Sequence, residues 1–279
     1  MLMWCLYLSA LALTALWAAL GGVTALPQLW RLIPAYVIAL LVTHLVYVLG
    51  LCLIRLLFRD RVIEKQSNLA RACCAGVGDL FCFYAGVRAH ISGLEKLPQD
   101  QKYLFVCNHK SMFDPLVVMG AMKKQNISFI SKPSNLKIPV AGVIAKNAGF
   151  LAIDRENNRE ALKTILQAAE YLKNGVCNMG IYPEGTRSKT SEMLPFHAGS
   201  FKIAQKAGVP VVCTAVRNTE NVQHNFPFRK TNVYIDILEV IDADFVKNHS
   251  TRETAELAQS IIQAKLDTEA AKEESGHGK

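Results

Sequence analysis

The chain has 279 residues, of which 51% are hydrophobic and 19% charged, and its formal net charge at pH 7 is +8. This length and composition allow one substantial domain together with a strongly apolar segment. No nucleic-acid partner is expected, because the sequence has neither a nucleic-acid-binding motif nor basic residues interleaved with aromatic ones. A basic chain with an apolar segment is better explained as facing an anionic membrane surface, although solvated charge accounts for most of these residues.

The apolar residues are concentrated in two runs at the start of the chain. Residues 1–26 contain no charged side chain, and residues 33–54 contain none apart from the titratable His44. At 1.5 Å per residue the runs would be roughly 39 and 33 Å long, enough to cross a hydrocarbon core of about 30 Å. They predict two membrane helices. A cleaved signal peptide is the disfavoured alternative for the first run, because no Lys or Arg precedes it and it is too long.

Basic residues are distributed asymmetrically around the two runs. Arg31 is the single cation between them, whereas Arg55, Arg59, Arg61 and Lys65 follow the second run. By the positive-inside rule the second helix ends in the cytoplasm, so the two helices form a hairpin with both ends inside. A shallow re-entrant hairpin in one leaflet would give the same pattern.

Short apolar runs alternate with amphipathic segments in the rest of the chain. The runs predict strands at residues 88–92, 103–107, 126–131, 150–153, 177–182, 210–216 and 233–240. Helical spacing predicts helices within 66–86, from 115, over 156–174, from 199 and from 251. Asp114 is expected to cap the helix that begins at Pro115. The alternation indicates an α/β fold, with a mixed and largely buried sheet flanked by helices, behind an N-terminal membrane helical hairpin.

Four segments are therefore predicted. They are a membrane-embedded hairpin over residues 1–58, an interfacial linker helix within 59–86, one domain over 87–272 and a disordered tail at 273–279. The linker helix could equally be the first core helix of the domain, because its apolar face fits either position.

The eight cysteines lie mostly inside apolar runs, and none forms a Cys-x-x-Cys motif. This usage predicts reduced, buried thiols and no zinc site. Cys107 lies two residues before His109, but its apolar neighbours indicate an inward-facing strand residue and not a nucleophile.

The strand predicted at 103–107 stops abruptly at a polar cluster that contains His109 and Asp114. A carboxylate beside a histidine holds the imidazole in the tautomer that can accept a proton from a hydroxyl. A His and an Asp at this spacing occur by chance in about a third of comparable chains, so a second motif must agree with the first.

A second strand-like run ends at Pro183 and opens into a turn that contains Gly185 and Arg187. The planar guanidinium of Arg fits a phosphate, and Gly lets the backbone approach a ligand closely. Two strand ends, one with a base and one with an anion-binding group, predict a single site.

Four blocks in order carry a resemblance to a known family. They are Asn108-His109-Lys110-Ser111-Met112-Phe113-Asp114, Gly149-Phe150-Leu151-Ala152-Ile153-Asp154-Arg155, Tyr182-Pro183-Glu184-Gly185-Thr186-Arg187-Ser188 and Gly208-Val209-Pro210-Val211-Val212. Together they resemble the glycerolipid acyltransferases, specifically the 1-acylglycerol-3-phosphate acyltransferases, over roughly residues 88–240. One departure is that His197 and Ala198 stand where members often carry basic residues, which leaves the charge of that loop to Lys202.

The resemblance implies a reaction. A fatty acyl group would pass from acyl-CoA or acyl-carrier protein to the sn-2 hydroxyl of 1-acylglycerol 3-phosphate, giving phosphatidic acid. His109 would act as the base and Asp114 would fix its ring. The implied substrate-binding residues are Glu184, Gly185, Thr186, Arg187, Arg155 and Lys202. No cofactor and no metal are expected, and the partners would be membrane lipids and the acyl donor. The catalytic domain would lie on the cytoplasmic side of a membrane, with a bacterial inner membrane preferred to the endoplasmic reticulum.

Three alternatives remain at this point. Another lysolipid could be the acceptor, because the motifs indicate phosphate and hydroxyl chemistry more strongly than a headgroup. A membrane lipid hydrolase would need a nucleophile or metal site, and the sequence contains no Gly-x-Ser-x-Gly motif. An inactive lipid-binding anchor is disfavoured by the intact His109, Asp114, Glu184 and Arg187.

Overall fold

The structure is a computed structural model that describes residues 2–58, 63–188, 190 and 192–276. The chain divides into two compact units, Met1–Arg59 and Asp60–Lys279. The helices are α1 (Leu2–Trp17), α2 (Leu32–Leu56), α3 (Asn68–Tyr84), α4 (Asp114–Ala121), α5 (Pro133–Leu136), α6 (Ala141–Asn147), α7 (Asn158–Lys173), α8 (Lys202–Ala207), α9 (Val222–Asn225), α10 (Ala243–Asn248) and α11 (Thr251–Gly276). The strands are β1 (Val87–Ser92), β2 (Leu104–Cys107), β3 (Ile127–Ser131), β4 (Leu151–Ala152), β5 (Asn178–Ile181), β6 (Val211–Arg217) and β7 (Thr231–Ile241).

The first unit contains the predicted pair of apolar helices, which pack against each other. The segments Leu2–Gly22 and Leu26–Leu56 are long and apolar enough to cross a membrane, with mean hydropathies of 1.8 and 2.6. Gly21, at φ 99°, breaks the helix that continues α1, and a short 3-10 segment then leads into α2. A ring nitrogen of His44 donates to the carbonyl oxygen of Leu40 at 2.7 Å. This bond gives His44 a structural role inside its own helix.

The second unit is built on a seven-stranded sheet in the order β1-β7-β6-β2-β5-β3-β4. Every neighbouring pair is parallel except β6 and β7, which are antiparallel. The predicted α/β fold with a mixed sheet is therefore confirmed. We call the side on which β2 ends the upper edge of the sheet. The ends of β5 and β6 lie on that side, and so do the starts of β7 and β1, because β7 runs opposite to β6.

Helices cover both faces of the sheet. Leu104 and Val106 of β2 point into a core shared with α7, α8, α10 and α11. The alternate residues Phe105 and Cys107 point into a second core that includes Val117 of α4. A strand that is buried on both faces reads as a continuous apolar run, which explains why β2 and β5 show no alternation in the sequence.

Some predicted boundaries differ from the structure. The expectation that Asp114 caps a helix is wrong: Phe113 occupies the N-cap position, Asp114 is the first residue of α4, and its carboxylate turns back toward the preceding loop. The predicted linker helix is α3, which Ser67 caps by accepting a hydrogen bond from the amide of Ala70. Its first predicted residues, 59–62, lie outside the described residues. The backbone of α11 is helical to Gly276, inside the segment predicted to be a disordered tail, and residues 277–279 are outside the described part.

Candidate active site

His109 lies two residues beyond the end of β2, at the upper edge of the sheet. Its Nδ1 is 2.8 Å from Oδ2 of Asp114, whose side chain is completely buried. An ionised carboxylate can only accept hydrogen bonds, so Nδ1 carries the hydrogen. The lone pair is then on Nε2, the nitrogen that faces away from Asp114. This is the tautomer that a general base requires.

The carboxylate of Asp114 is held on every side by donors. Oδ2 also accepts hydrogen bonds from the backbone amides of Lys110 at 3.0 Å and Ser111 at 2.9 Å. Oδ1 accepts a hydrogen bond from the hydroxyl of Thr219, which is completely buried. These donors fix the position of the Asp114 carboxylate. Its hydrogen bond to Nδ1 in turn fixes the orientation of the His109 ring.

Thr219 is a site residue that the sequence did not indicate. It follows β6 by two residues and lies outside all four motif blocks. Because β6 is a parallel neighbour of β2, the loop that follows β6 lies next to the loop that carries Asp114. Only the strand order could have identified this contact, and no local pattern in the sequence encodes it.

Tyr182 forms one wall behind the histidine. Its ring stacks on the imidazole of His109, with centroids 4.2 Å apart and planes inclined by 25°. The Tyr182 ring also stacks on Phe129, with centroids 5.4 Å apart. Burial raises the pKa of the Tyr182 phenol well above its usual range, so it remains neutral. In the sequence, Tyr182 is only the first residue of a motif, and no local pattern indicates a function for it.

Glu184 joins the two principal motifs. It is only 3% exposed. Its Oε1 accepts a hydrogen bond from the backbone amide of His109 at 2.6 Å, and its Oε2 accepts one from the amide of Leu194 at 2.8 Å. Burial raises the pKa of this carboxyl, while the two amide bonds act in the opposite direction. This geometry favours a role in shaping the site. Direct substrate contact by Glu184 stays a prediction.

The turn that follows Glu184 brings further predicted residues together. Gly185 has φ 74°, a left-handed conformation that favours glycine. A Cβ there would lie 2.9 Å from the ring of His197 and 3.8 Å from a guanidinium nitrogen of Arg155. Arg155 therefore reaches the motif turn from a distant loop, and partial burial lowers the pKa of its guanidinium.

The remaining predicted binding residues are exposed. Thr186 and Arg187 extend from the turn into solvent, and Lys202 lies at the start of α8, a short distance along the chain from His197. The structure thus joins His109, Asp114 and Glu184 by hydrogen bonds and brings Arg155 to Gly185. The amide of Ser188 donates to the carbonyl oxygen of His109 at 3.0 Å, which brings the adjacent Arg187 to this group, and Lys202 lies five residues after His197.

The thiols near the site are buried and protonated. Burial raises the pKa of Cys107 well above its usual range, with Asp114 adding to the effect, so its thiol stays protonated and is a poor nucleophile. All eight cysteines are free thiols. In the described part of the chain, no group of three or more His, Cys, Asp or Glu side chains could hold a metal ion.

The chain is similar to known proteins. A family model described as Acyltransferase matches residues 88–217. The 1-acyl-sn-glycerol-3-phosphate acyltransferase of Escherichia coli K12 is 30% identical over 175 residues, which are 62% of this chain and 71% of that protein. The enzyme of the same name from Haemophilus influenzae is 28% identical over 63% of this chain and 76% of its own length. The crystal structure of the 1-acyl-sn-glycerophosphate (LPA) acyltransferase PlsC from Thermotoga maritima is similar with a TM-score of 0.62 and 26% identity, over 81% of this chain and 89% of that one.

The fold and the matched segment, which contains His109, Asp114 and the Gly185 turn, define the chain as an acyltransferase. More narrowly, it belongs to the 1-acyl-sn-glycerol-3-phosphate acyltransferase family. The resemblance of the four sequence blocks to this family is thereby confirmed.

Proposed function

We propose that the chain transfers a fatty acyl group from acyl-CoA or acyl-carrier protein to the sn-2 hydroxyl of 1-acylglycerol 3-phosphate, producing phosphatidic acid. The observation that carries this proposal is the hydrogen-bonded pair of His109 and Asp114 beside a turn that bears Arg187 and that Arg155 approaches from another loop. A base for a hydroxyl and cations for a phosphate are what this acceptor requires. The names of the relatives support the same acceptor.

The proton transfer follows from the tautomer of His109. Nε2 accepts the proton of the acceptor hydroxyl while that oxygen attacks the thioester carbonyl, and the negative charge of Asp114 stabilises the imidazolium that forms. When the carbon–sulfur bond breaks, the imidazolium returns the proton to the leaving thiolate. A general base of this kind typically contributes about 10²- to 10⁴-fold in rate. The thioester is already activated, so neither a covalent acyl-enzyme nor a metal or cofactor is needed.

The turn that follows Glu184 positions the acceptor. Arg187 and Arg155 hold the phosphate, which orients the free hydroxyl toward His109. Thr186 adds a hydroxyl, and the left-handed Gly185 leaves room for the ring of His197, which a Cβ would meet at 2.9 Å. Glu184 acts through the backbone by fixing the amide of His109, and Lys202 adds positive charge near the phosphate.

The apolar hairpin is proposed to keep the enzyme at the membrane that contains its lipid acceptor and product. By the positive-inside rule, the basic residues after α2 favour the cytoplasmic side for the second unit, which carries the site and which we call the catalytic unit. A bacterial inner membrane is the preferred location. Membrane lipids and the thioester donor are then the only partners that the reaction requires.

The test is thiol release by the detergent-solubilised protein. Acyl-CoA and acyl-carrier protein are supplied separately, each with and without 1-acylglycerol 3-phosphate, alongside the variant His109→Ala. We expect release that depends on the acceptor and on His109, with phosphatidic acid as the product. Release without acceptor would indicate a hydrolase, whereas release only with another lysolipid would change the acceptor. A folded His109→Ala protein with normal turnover would exclude His109 as the base.

A further inference from the structure

The loop between α9 and β7 exposes two aromatic side chains next to two cations. Phe226 is 53% exposed and Phe228 is 94% exposed, and Arg229 and Lys230 follow directly and are exposed as well. An exposed phenylalanine costs free energy in water, and two of them beside basic residues match the composition of segments that enter the headgroup region of a membrane. Single exposed phenylalanines are common on protein surfaces, but that does not account for two of them together or for the adjacent cations.

The loop is held firmly by its neighbours. The amide of Arg229 donates to the carbonyl oxygen of Asn225 at 2.8 Å. The amide of Phe226 donates to the carbonyl oxygen of Val222 at 3.1 Å. The amide of Thr231 donates to the carbonyl oxygen of Gly86 at 3.0 Å, which ties the end of the loop to the start of β1. Phe226 and Phe228 are therefore presented from a bonded turn.

A second exposed apolar surface lies beside this loop. The helix α3 ends two residues before Gly86, and its last two residues, Phe83 and Tyr84, are 47% and 44% exposed. Val77 is exposed on the same side of α3 as Tyr84, two helical turns earlier. The loop and this end of α3 thus form one apolar region at the start of β1 and β7.

The topology places this region on the same side of the sheet as His109. The strand β7 starts at the upper edge because it is antiparallel to β6, and β1 starts there because it is parallel to β7. In the strand register, Ile237 of β7 pairs with Thr214 of β6, and Thr214 pairs with Cys107 at the end of β2. Residues 231–236 therefore extend beyond β2, and the loop projects from the side that carries the site.

We propose that residues 226–230, with the adjoining exposed side of α3, form a membrane-contacting surface of the catalytic unit that binds an anionic lipid bilayer. Phe226 and Phe228 enter the headgroup region and Arg229 and Lys230 pair with lipid phosphates. The contact turns the upper edge of the sheet, and with it His109, toward the bilayer. This inference rests on the proposed function only in assuming that the acceptor is a membrane lipid.

Fluorescence quenching tests the contact without measuring acyl transfer. The three native tryptophans, Trp4, Trp17 and Trp30, are replaced by Phe in the full chain. A single tryptophan is then introduced by Phe228→Trp, or by Gln101→Trp at an exposed position just before the start of β2, on the opposite side of the sheet. Both proteins are reconstituted into phosphatidylglycerol-containing vesicles, with and without brominated acyl chains. We expect bromine to quench the tryptophan at 228 and not the one at 101. No quenching at 228, or equal quenching at both positions, would overturn the proposal.

Kinetics of the otherwise native full chain give a second measurement. Phe226→Ser combined with Phe228→Ser should raise the acceptor KM in vesicles about tenfold or more, since two apolar side chains leave the membrane. The same variant should keep its acceptor KM in mixed detergent micelles. An unchanged KM in vesicles would contradict the proposal, and a variant inactive in both media would show instead that the loop serves the site directly.

The charges are tested separately. Arg229→Gln combined with Lys230→Gln should remove most of the difference in acceptor KM between anionic and zwitterionic vesicles, because each basic residue near an anionic surface strengthens binding about fivefold. The matched control is Lys173→Gln combined with Lys247→Gln, two exposed cations at the ends of α7 and α10 on the opposite side of the sheet. Equal effects of the two pairs would show that net charge alone acts, and would overturn the assignment to the loop. Loss of all acyl transfer by the native protein would refute the proposed function and leave the quenching result intact.

Discussion

The hydroxyl of Thr219 is the only side-chain donor that the structure describes on Asp114 besides His109. Thr219→Val keeps the shape and removes the hydrogen bond, which leaves Oδ1 of a buried carboxylate without its donor. An unsatisfied buried acceptor costs about 1 to 3 kcal/mol, so we expect kcat to fall about tenfold with the acceptor KM nearly unchanged. Thr219→Ser restores the hydroxyl and should restore most of the rate. If the Val and Ser variants lose kcat equally, the methyl group matters and the hydrogen bond does not.

Glu184 allows a second prediction at the residue scale. A glutamine at this position has one carbonyl oxygen, so it can accept from the amide of His109 or from that of Leu194, but its NH₂ group opposes the other amide. Glu184→Gln should therefore lower the free energy of unfolding by about 1 to 3 kcal/mol and reduce kcat. The raised pKa of Glu184 limits the loss, because the buried negative charge is itself costly. Thermal unfolding in detergent and single-turnover acyl transfer are the measurements. A variant as stable and as active as the native protein would show that the two amide bonds contribute little.

Arg187 tests the phosphate site itself. Arg187→Ala should raise the acceptor KM by tenfold or more, on the order of the 1.5 to 3 kcal/mol of a charge-assisted hydrogen bond. The donor KM should not change. Arg187 is exposed and the structure describes no ion pair for it, so folding should be unaffected, and an unchanged acceptor KM with an unchanged kcat would remove it from the site.

At the scale of elements, the approach of α3 to α4 depends on two glycines. A Cβ on Gly78 would lie 2.6 Å from the backbone nitrogen of Gly120, and one on Gly120 would lie 2.7 Å from the backbone of Gly78. Both contacts are with backbone, so the helices must separate to accept a methyl group. Gly78→Ala should destabilise the protein by about 1 to 3 kcal/mol despite the better helix propensity of alanine.

The matched control for this prediction is Gly199→Ala. A Cβ at Gly199 has no neighbour within 4 Å, and its φ is not left-handed. We expect the control to unfold within about 0.5 kcal/mol of the native protein, as surface substitutions usually do. Equal midpoints for Gly78→Ala and the native protein would mean that the two helices can shift apart at no cost. Because α4 begins at Asp114, any movement of α4 in Gly78→Ala should also lower kcat.

The seven strands and five helices of the catalytic unit were predictable from local pattern, whereas the short helices α5, α6, α9 and α10 and the arrangement of the strands were not. Apolar runs identified all seven strands, and the amphipathic spacing of residues 156–174 identified α7. The insertion of β6 between β7 and β2, and the reversal of β7, depend on pairing between segments far apart in the chain. Sequence spacing therefore indicated the pairing of His109 with Asp114, which are five residues apart, and missed Thr219, which is 105 residues from Asp114.

At the scale of the whole molecule, the apolar helices and the proposed site occupy separate parts of the sequence. Residues 1–58 contain the apolar helices, while every residue of the proposed site lies beyond residue 100. The hydrophobic cores of the catalytic unit are built from residues 63 onward. Chemistry and lipid access are therefore expected to respond to different changes in the chain.

Deletion of residues 1–58 tests this separation. The shortened chain should transfer acyl groups to a water-soluble, short-chain 1-acylglycerol 3-phosphate within about threefold of the native rate, because His109, Asp114 and their donors are all retained. Transfer to the same acceptor with a long chain in vesicles should fall by about tenfold or more, because the hairpin raises the effective concentration of enzyme at the membrane. Joining the shortened chain to an unrelated membrane helix should restore the vesicle activity if attachment is all that the hairpin supplies. An equal loss of acyl transfer to both acceptors would indicate instead that the catalytic unit needs the hairpin in order to fold.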